Sequence, residues 1–174
     1  KKLKLSSQAR EMINSNRSYL ESVIAMQNST IYGINTGFGS LCNTLIPNDK
    51  LAQLQHNLVI SHACGVGEEV PKEIVKTMLF LKIQNMVYGY SGVSIELVEF
   101  LIELYNNDVL PIIYDTGSLG ASGDLAPLAH LSLPILGLGE VYYNKTKIPS
   151  AEALDSIGLK PLALKAKEGL ALLN

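Results

Sequence analysis

The sequence predicts a mainly helical fold, and three observations carry that expectation. Apolar residues recur three and four positions apart over several long segments, residues that favour helix starts and stops stand at their ends, and no alternation of strands with helices runs along the chain.

The first amphipathic helix is expected from Ser7 to about Gln27, where Met12, Ile13, Leu20, Val23 and Ile24 keep helical spacing. The stretch STIYGINTGFGS then interrupts the pattern with Gly33, Gly37 and Gly39. After Pro47, with Asn48 or Asp49 as N-cap, Leu51, Leu54, Leu58 and His62 share one face, and Gly65 supplies a stop. Pro71 suits the first position of a third helix ending near Gly89, and a fourth runs from Ser94 to about Asn107. Asp124 can cap a further helix that carries Pro127 in its first turn and ends or kinks at Pro134. EVYYNKTKI alternates around a polar centre and predicts a small hairpin. Ser150 should cap a short helix stopped by Gly158, and another helix begins near Lys167.

A chain of 174 residues is long enough for one domain with a real core, and no shift of composition divides it. Charged residues make up 17% of it, against roughly 25% in an ordinary soluble domain, so some apolar surface should meet other protein. A net charge of -2, with Lys1, Lys2 and Lys4 as the nearest thing to a basic cluster, offers no footprint for nucleic acid or an anionic membrane. No apolar run approaches the roughly 20 residues a membrane-spanning helix needs. Cys42 and Cys64 do not make a disulfide framework, and the opening KKLKLSS lacks the apolar core of a signal peptide, so a reducing cytoplasm is expected. The start without methionine and the end inside GLALLN read as those of a fragment.

The most unusual segment is GSLGASGDLAPLAH, Gly117 to His130, which sets three glycines and very little side chain ahead of a helix. A phosphate loop would need a lysine where Asp124 stands, and Asp124 repels phosphate. A hydrolase elbow would need a residue between the serine and the following glycine, yet Gly123 directly follows Ser122. His56, His62 and His130 have no zinc-ligand spacing. Each stretch alone is explained blandly by tight turns, a capping hydroxyl, a hydrogen-bonded core histidine and an ordinary aromatic at Tyr32. Two glycine-rich loops together cost more chain entropy than packing alone explains, which favours a functional use.

Side chains supply nucleophiles, acids and bases but no good electrophile. A backbone can become one. If a bend drives the Gly123 nitrogen onto the Ala121 carbonyl carbon, a five-membered ring closes, and loss of that oxygen and of the Ser122 hydroxyl as water leaves an exocyclic methylidene. Gly123 lacks the Cβ that would block the approach, Ala121 is small enough for the bend, and Ser122 carries the leaving hydroxyl.

GSLGASGDLAPLAHLSLPILGLGE resembles the signature of the aromatic amino acid lyase family, whose Ala-Ser-Gly forms 4-methylidene-imidazole-5-one (MIO). YGINTGFGSL at 32–41, QHNLVISHACGVGE at 55–68 and KEGLALLN at 167–174 are similar to further family motifs, in the family's order. The resemblance implies the N-terminal portion of an aspartase/fumarase-like helical lyase fold, with a small hairpin and a glycine-rich prosthetic-group loop. Residues 1–174 are then a single N-terminal domain of a longer chain, truncated at both ends. Ser61-His62 is similar to the histidine-specific members, where those acting on tyrosine and phenylalanine carry His-Leu or Phe-Leu. The implied reaction is elimination of ammonia from L-histidine to give trans-urocanate, in histidine degradation, by a homotetramer. The alternatives are a tyrosine or phenylalanine ammonia-lyase or aminomutase of the same family, or a non-catalytic assembly module, against which the intact Ala121-Ser122-Gly123 argues.

By the same resemblance Tyr32 is the acid/base, Ala121, Ser122 and Gly123 form MIO, Asn174 hydrogen-bonds near its ring, and His62 meets the substrate. A phenol ordinarily ionises near pH 10, so a tyrosine base implies help from the site and an alkaline optimum. Because family members carry further helices and binding residues beyond the last motif, the fragment alone is expected to be inactive, and ring closure requires a bend compressed by its surroundings.

Overall fold

A computed structural model describes residues 2–26 and 30–174. The first helix, α1 (Ser7–Ala25), starts where the Ser6 hydroxyl accepts the Ala9 N–H, and buries Ile13 and Leu20, whereas Met12 faces solvent. The expected end near Gln27 lies outside the described residues. After the glycine-interrupted stretch comes α2 (Leu51–His62), which buries Leu51, Leu58 and Val59. Neither Asn48 nor Asp49 is its N-cap. Both sit in a turn of 3-10 helix, Asn48–Lys50, that runs straight into α2, so Lys50 occupies the cap position and offers no side-chain bond. Gly65 is not the stop either: α2 ends at His62 with Ala63 as C-cap, and the Gly65 N–H instead donates to His130 Nε2 at 2.9 Å.

Strand β1 (Val66–Glu69) leads to α3 (Lys72–Val87), whose C-terminus is closed by Tyr88 and then by Gly89 in the left-handed region that glycine tolerates. The following helix, α4 (Ile95–Asn106), is the most deeply packed: its N-cap Ser94 accepts the Leu97 N–H, and Leu97, Val98, Leu101 and Leu104 lose all contact with solvent. Together with Val75, Leu79, Ile83 and Met86 of α3 they form the centre of the core, where apolar burial supplies most of the favourable energy. Ile74 and Leu81 stand exposed seven residues apart on α3, and its exposed C-cap Tyr88 lines the cavity described below.

Two small antiparallel sheets then frame the glycine loop. Strand β2 (Leu110–Pro111) pairs with β4 (Glu140–Tyr143), and β4 pairs with β5 (Thr146–Pro149), so the expected hairpin becomes part of a three-stranded sheet. Its turn residues Asn144 and Lys145 both have positive φ, as a two-residue hairpin turn demands. Strand β3 (Tyr114–Thr116) pairs with β1 and ends at the loop. Beyond the loop, α5 (Ala126–Ser132) carries Pro127 in its first turn and tightens at Leu133–Leu136 into 3-10 helix, so Pro134 changes the helix geometry as expected.

Ser150 is the first residue of α6 (Ser150–Ser156) rather than its cap; Pro149 takes the cap position, and the buried Ser150 hydroxyl finds no hydrogen-bond partner. Gly158 follows in the left-handed region. The last helix, α7 (Glu168–Leu173), begins after Lys167 and packs on both α2 and α5. Among the described residues no helix is long and apolar enough to cross a membrane, and no group of three or more His, Cys, Asp or Glu side chains could hold a metal ion. The architecture is mainly α.

Candidate active site

The glycine loop owes its shape to a few polar contacts. Asp124 Oδ1 accepts the Ser118 N–H at 2.8 Å, the Ser118 hydroxyl at 3.2 Å and the Ala126 N–H at 3.1 Å. Leu125 rather than Asp124 holds the N-cap position of α5, so Asp124 is not the cap its position in the sequence suggests; it satisfies the N–H of the first helical residue and staples the base of the loop. The Ser118 N–H, then the Ala126 N–H and the Ser118 hydroxyl, hold the Asp124 carboxyl below the usual carboxylate range. Gly117 makes the staple possible, because a Cβ there would stand 2.3 Å from the Asp124 carboxylate oxygens.

Within the loop, Gly120 and Gly123 exchange both backbone hydrogen bonds, at 3.3 and 3.0 Å, and so fold the chain back over Ala121 and Ser122. Gly123 adopts φ +87°, a conformation L side chains rarely take, with open space where a Cβ would be. Ala121, Ser122 and Gly123 are all exposed. This arrangement fits a tripeptide that must close on itself: the bend is already sharp, no side chain crowds it, and the serine hydroxyl is free of the core. Closure requires the Gly123 N–H to leave the Gly120 carbonyl oxygen.

Ser122 lines a cavity of about 690 Å³ together with Tyr32, His62, Asn174, Asn85 and Lys167. Tyr32 comes from the glycine-interrupted stretch after α1, is 56% exposed, and meets Phe38 edge to face at 6.0 Å. His62 stands at the end of α2, where its Nδ1 lies 2.8 Å from the Leu58 carbonyl oxygen. A carbonyl oxygen only accepts, so Nδ1 carries the proton and, in the neutral ring, Nε2 is left as an acceptor. Asn174 follows α7, and its side-chain amide donates to the Leu170 carbonyl oxygen at 3.0 Å, which leaves the second amide N–H and Oδ1 available.

The structure thus brings Tyr32, His62, Ser122 and Asn174 to one cavity, with Ala121 and Gly123 flanking Ser122 in the bend. Asn85, Ser91 and Lys167, with Tyr88 and Tyr90, also line the cavity and were not foreseen. Asn85 belongs to α3, where it reads as an ordinary solvent-facing helix residue. Lys167 lies inside the KEGLALLN stretch but adopts φ 73°, donates from Nζ to the Ser91 carbonyl oxygen at 2.6 Å, and has its ammonium pKa lowered by burial.

His130 is outside the cavity wall. It is buried with Nε2 accepting the Gly65 N–H, and burial lowers its pKa. It joins the end of α2 to α5 and so supports both the His62 and the Ser122 segments.

The profile of the aromatic amino acid lyase family matches residues 1–174. The chain is 54% identical over 170 residues to a histidine ammonia-lyase of Legionella pneumophila, covering 98% of this chain and 33% of that protein. To a histidine ammonia-lyase of Deinococcus radiodurans it is 50% identical over 172 residues, covering 99% and 33%. Among solved structures, the histidine ammonia-lyase of Trypanosoma cruzi superposes with a TM-score of 0.89 at 36% identity, covering 99% of this chain and 33% of that one. The phenylalanine aminomutase of Pantoea agglomerans superposes with 0.93 at 34% identity, covering 100% and 33%. The chain spans about a third of the length of the curated relatives it matches. With the family profile matched from end to end and the fold shared at these scores, the chain belongs to the aromatic amino acid lyase family.

Proposed function

We propose that the chain carries part of the active site of a histidine ammonia-lyase, which eliminates ammonia from L-histidine to give trans-urocanate. The observation that carries this reading is the convergence of Tyr32, His62, Ser122 and Asn174 on one cavity from four separate segments. The choice of histidine rests on Ser61-His62 and on the similarity to histidine ammonia-lyases at 54% and 50% identity.

In the reaction the substrate loses a proton from the carbon next to the imidazole, the electron pair of that bond becomes the new double bond, and the amino group departs with the pair of the carbon–nitrogen bond. MIO, made from Ala121, Ser122 and Gly123, supplies an electrophilic carbon that makes the amino group a better leaving group. Tyr32 takes the proton, since its exposed phenol stands on the cavity wall. His62 Nε2 accepts the N–H of the substrate imidazole, because Nδ1 is committed to the Leu58 carbonyl oxygen. A phenyl ring has no such donor, so binding it leaves Nε2 unpaired, a form of selection stronger than pocket size alone. The second amide N–H of Asn174 donates to the carbonyl oxygen of the ring formed by the loop, which has no N–H of its own.

The whole enzyme is a longer chain acting as a cytoplasmic homotetramer, of which residues 1–174 are one N-terminal domain, inactive alone. Exposed Ile74 and Leu81 of α3 then pack against the remainder of the parent protein.

The test adds L-histidine to the full-length parent protein and follows the ultraviolet absorbance of urocanate, with Ser122→Ala as control. Urocanate should accumulate with the native serine, and mass spectrometry of the peptide spanning 121–123 should find it lighter by two water molecules than the encoded peptide. Equal rates with and without Ser122, or no urocanate from folded tetramer, would refute the reading. Turnover of tyrosine or phenylalanine instead of histidine would move the assignment to another member of the family.

A further inference from the structure

Lys82 is the one lysine of α3 on its buried side. Val75, Leu79, Ile83 and Met86 surround it in the helix pattern, and it is 6% exposed. Burial of an ammonium is unfavourable unless it is paired, and lysine is rarely buried without a carboxylate beside it. Lys82 has no Asp or Glu partner among the described residues. Its Nζ donates to two backbone oxygens, of Ala171 at 3.3 Å and of Asn174 at 2.5 Å, the latter a peptide carbonyl in a parent chain that continues past Asn174. Burial pushes its pKa down to about 8, the direction expected of an ammonium removed from water.

Ala171 lies in α7 and Asn174 directly follows it, so both oxygens stand at the same end of that helix. The Leu170 carbonyl oxygen is already taken by the Asn174 side chain, so the final turn is closed from two directions, by Asn174 itself and by Lys82. One helical turn further along α3, Asn85 reaches the cavity that Asn174 lines. Lys82 therefore joins α3 to the end of α7 directly beneath a residue of the candidate site.

We propose that Lys82 is the positioning residue for Asn174: its buried ammonium clamps the C-terminal end of α7 and so fixes where the Asn174 amide stands relative to Ser122. This rests on the histidine ammonia-lyase reading for its activity readout, though the clamp itself does not. Lys82 touches no substrate in this role. Its loss moves a group that acts on the chemistry, so kcat falls while KM hardly changes.

The experiment uses the full-length parent protein and the variants Lys82→Met, which keeps the apolar stem and removes every donor, and Lys82→Arg, which keeps charge and donors. Peptide-resolved hydrogen exchange reads the clamp without reference to activity. Amides of 168–174 in Lys82→Met should exchange at least about tenfold faster while those of α4 are unchanged, in line with local opening of one element. With L-histidine, Lys82→Met should lose about tenfold or more in kcat with KM within about twofold, and Lys82→Arg should restore kcat to within about threefold. In the Asn174→Ala background, Lys82→Met should cost little more, because both changes remove the same contribution.

A folded Lys82→Met with native exchange in 168–174, or a kcat loss that multiplies fully with that of Asn174→Ala, overturns the proposal. Should the methionine variant not fold, Lys82→Arg decides: native exchange and turnover support the clamp, and loss of both overturns it. If the wild-type parent turns over no histidine, the enzymatic reading fails, and the exchange data still judge the clamp.

Discussion

Glu168 offers the most direct test of how α7 is held. It is 2% exposed, and its two oxygens are used by two backbone donors: Oε1 by the Ser94 N–H at 2.8 Å and Oε2 by the Lys165 N–H at 2.6 Å. One carboxylate thus fastens the start of α4, the chain before α7, and α7 itself. Glu168→Ala removes both acceptors and leaves two N–H groups unpaired. Hydrogen bonds to a charged group contribute about 1.5–3 kcal/mol each, but removing the carboxylate also recovers part of its desolvation cost, so a net loss of about 3 kcal/mol is expected. Against a stability of 5–15 kcal/mol for an ordinary domain, roughly, that is a large fraction. In urea, with a slope of about 2 kcal/mol per molar, the midpoint should fall by about 1.5 M. Glu168→Gln keeps one acceptor and turns an amide N–H toward the other donor, so it should lose about half as much. Equilibrium unfolding followed by circular dichroism measures both. A midpoint shift below about 0.5 M for the alanine variant, or equal shifts for the two, would refute the account.

Two further outcomes follow from the loop and its support. The His130 pKa is lowered by burial, so the unfolded chain binds the proton more readily than the folded one. The stability this histidine contributes is full above the ordinary value near 6.5 and is lost as pH falls through its lower folded value. His130→Gln, which keeps an acceptor for the Gly65 N–H, should lose less stability than the native protein between pH 7 and pH 5; parallel losses in urea titrations at the two pH values would count against the histidine. Gly117→Ala places a Cβ 2.3 Å from the Asp124 oxygens, so the staple to Ser118 must open, at a cost of about 1–3 kcal/mol. In the full-length parent this variant should yield a smaller dehydrated fraction of the 121–123 peptide by mass spectrometry; a native fraction would show that the staple is dispensable.

The helices were legible because their signals are local. Ser94 as N-cap of α4 and Gly89 after α3 are single residues whose chemistry acts within one turn. The errors share a cause as well. Asn48, Asp49 and Ser150 are good capping types, but 3-10 helix ahead of α2 and the Pro149 backbone ahead of α6 took those places, and neither choice is written in the capping residue itself. Strands β1, β2 and β3 are two to four residues long and find partners across the fold, too short for periodicity to announce them.

Tyr32, His62, Ser122 and Asn174 were legible from motifs, whereas their meeting at one cavity depends on how α2, α5 and α7 pack. Lys82 carried an unread signal. It stands three residues after Leu79 and seven after Val75, a lysine on an otherwise apolar face, which is the pattern of a buried charge.

The residues that meet at the cavity come from the loop after α1, the end of α2, the glycine loop and the residue that follows α7, and no two of these segments adjoin in sequence. A nascent chain completes this part of the wall only when Asn174 has emerged, because it is synthesised after Tyr32, His62 and Ser122. An insertion or deletion in one of the helices between would shift one corner of the wall against the others.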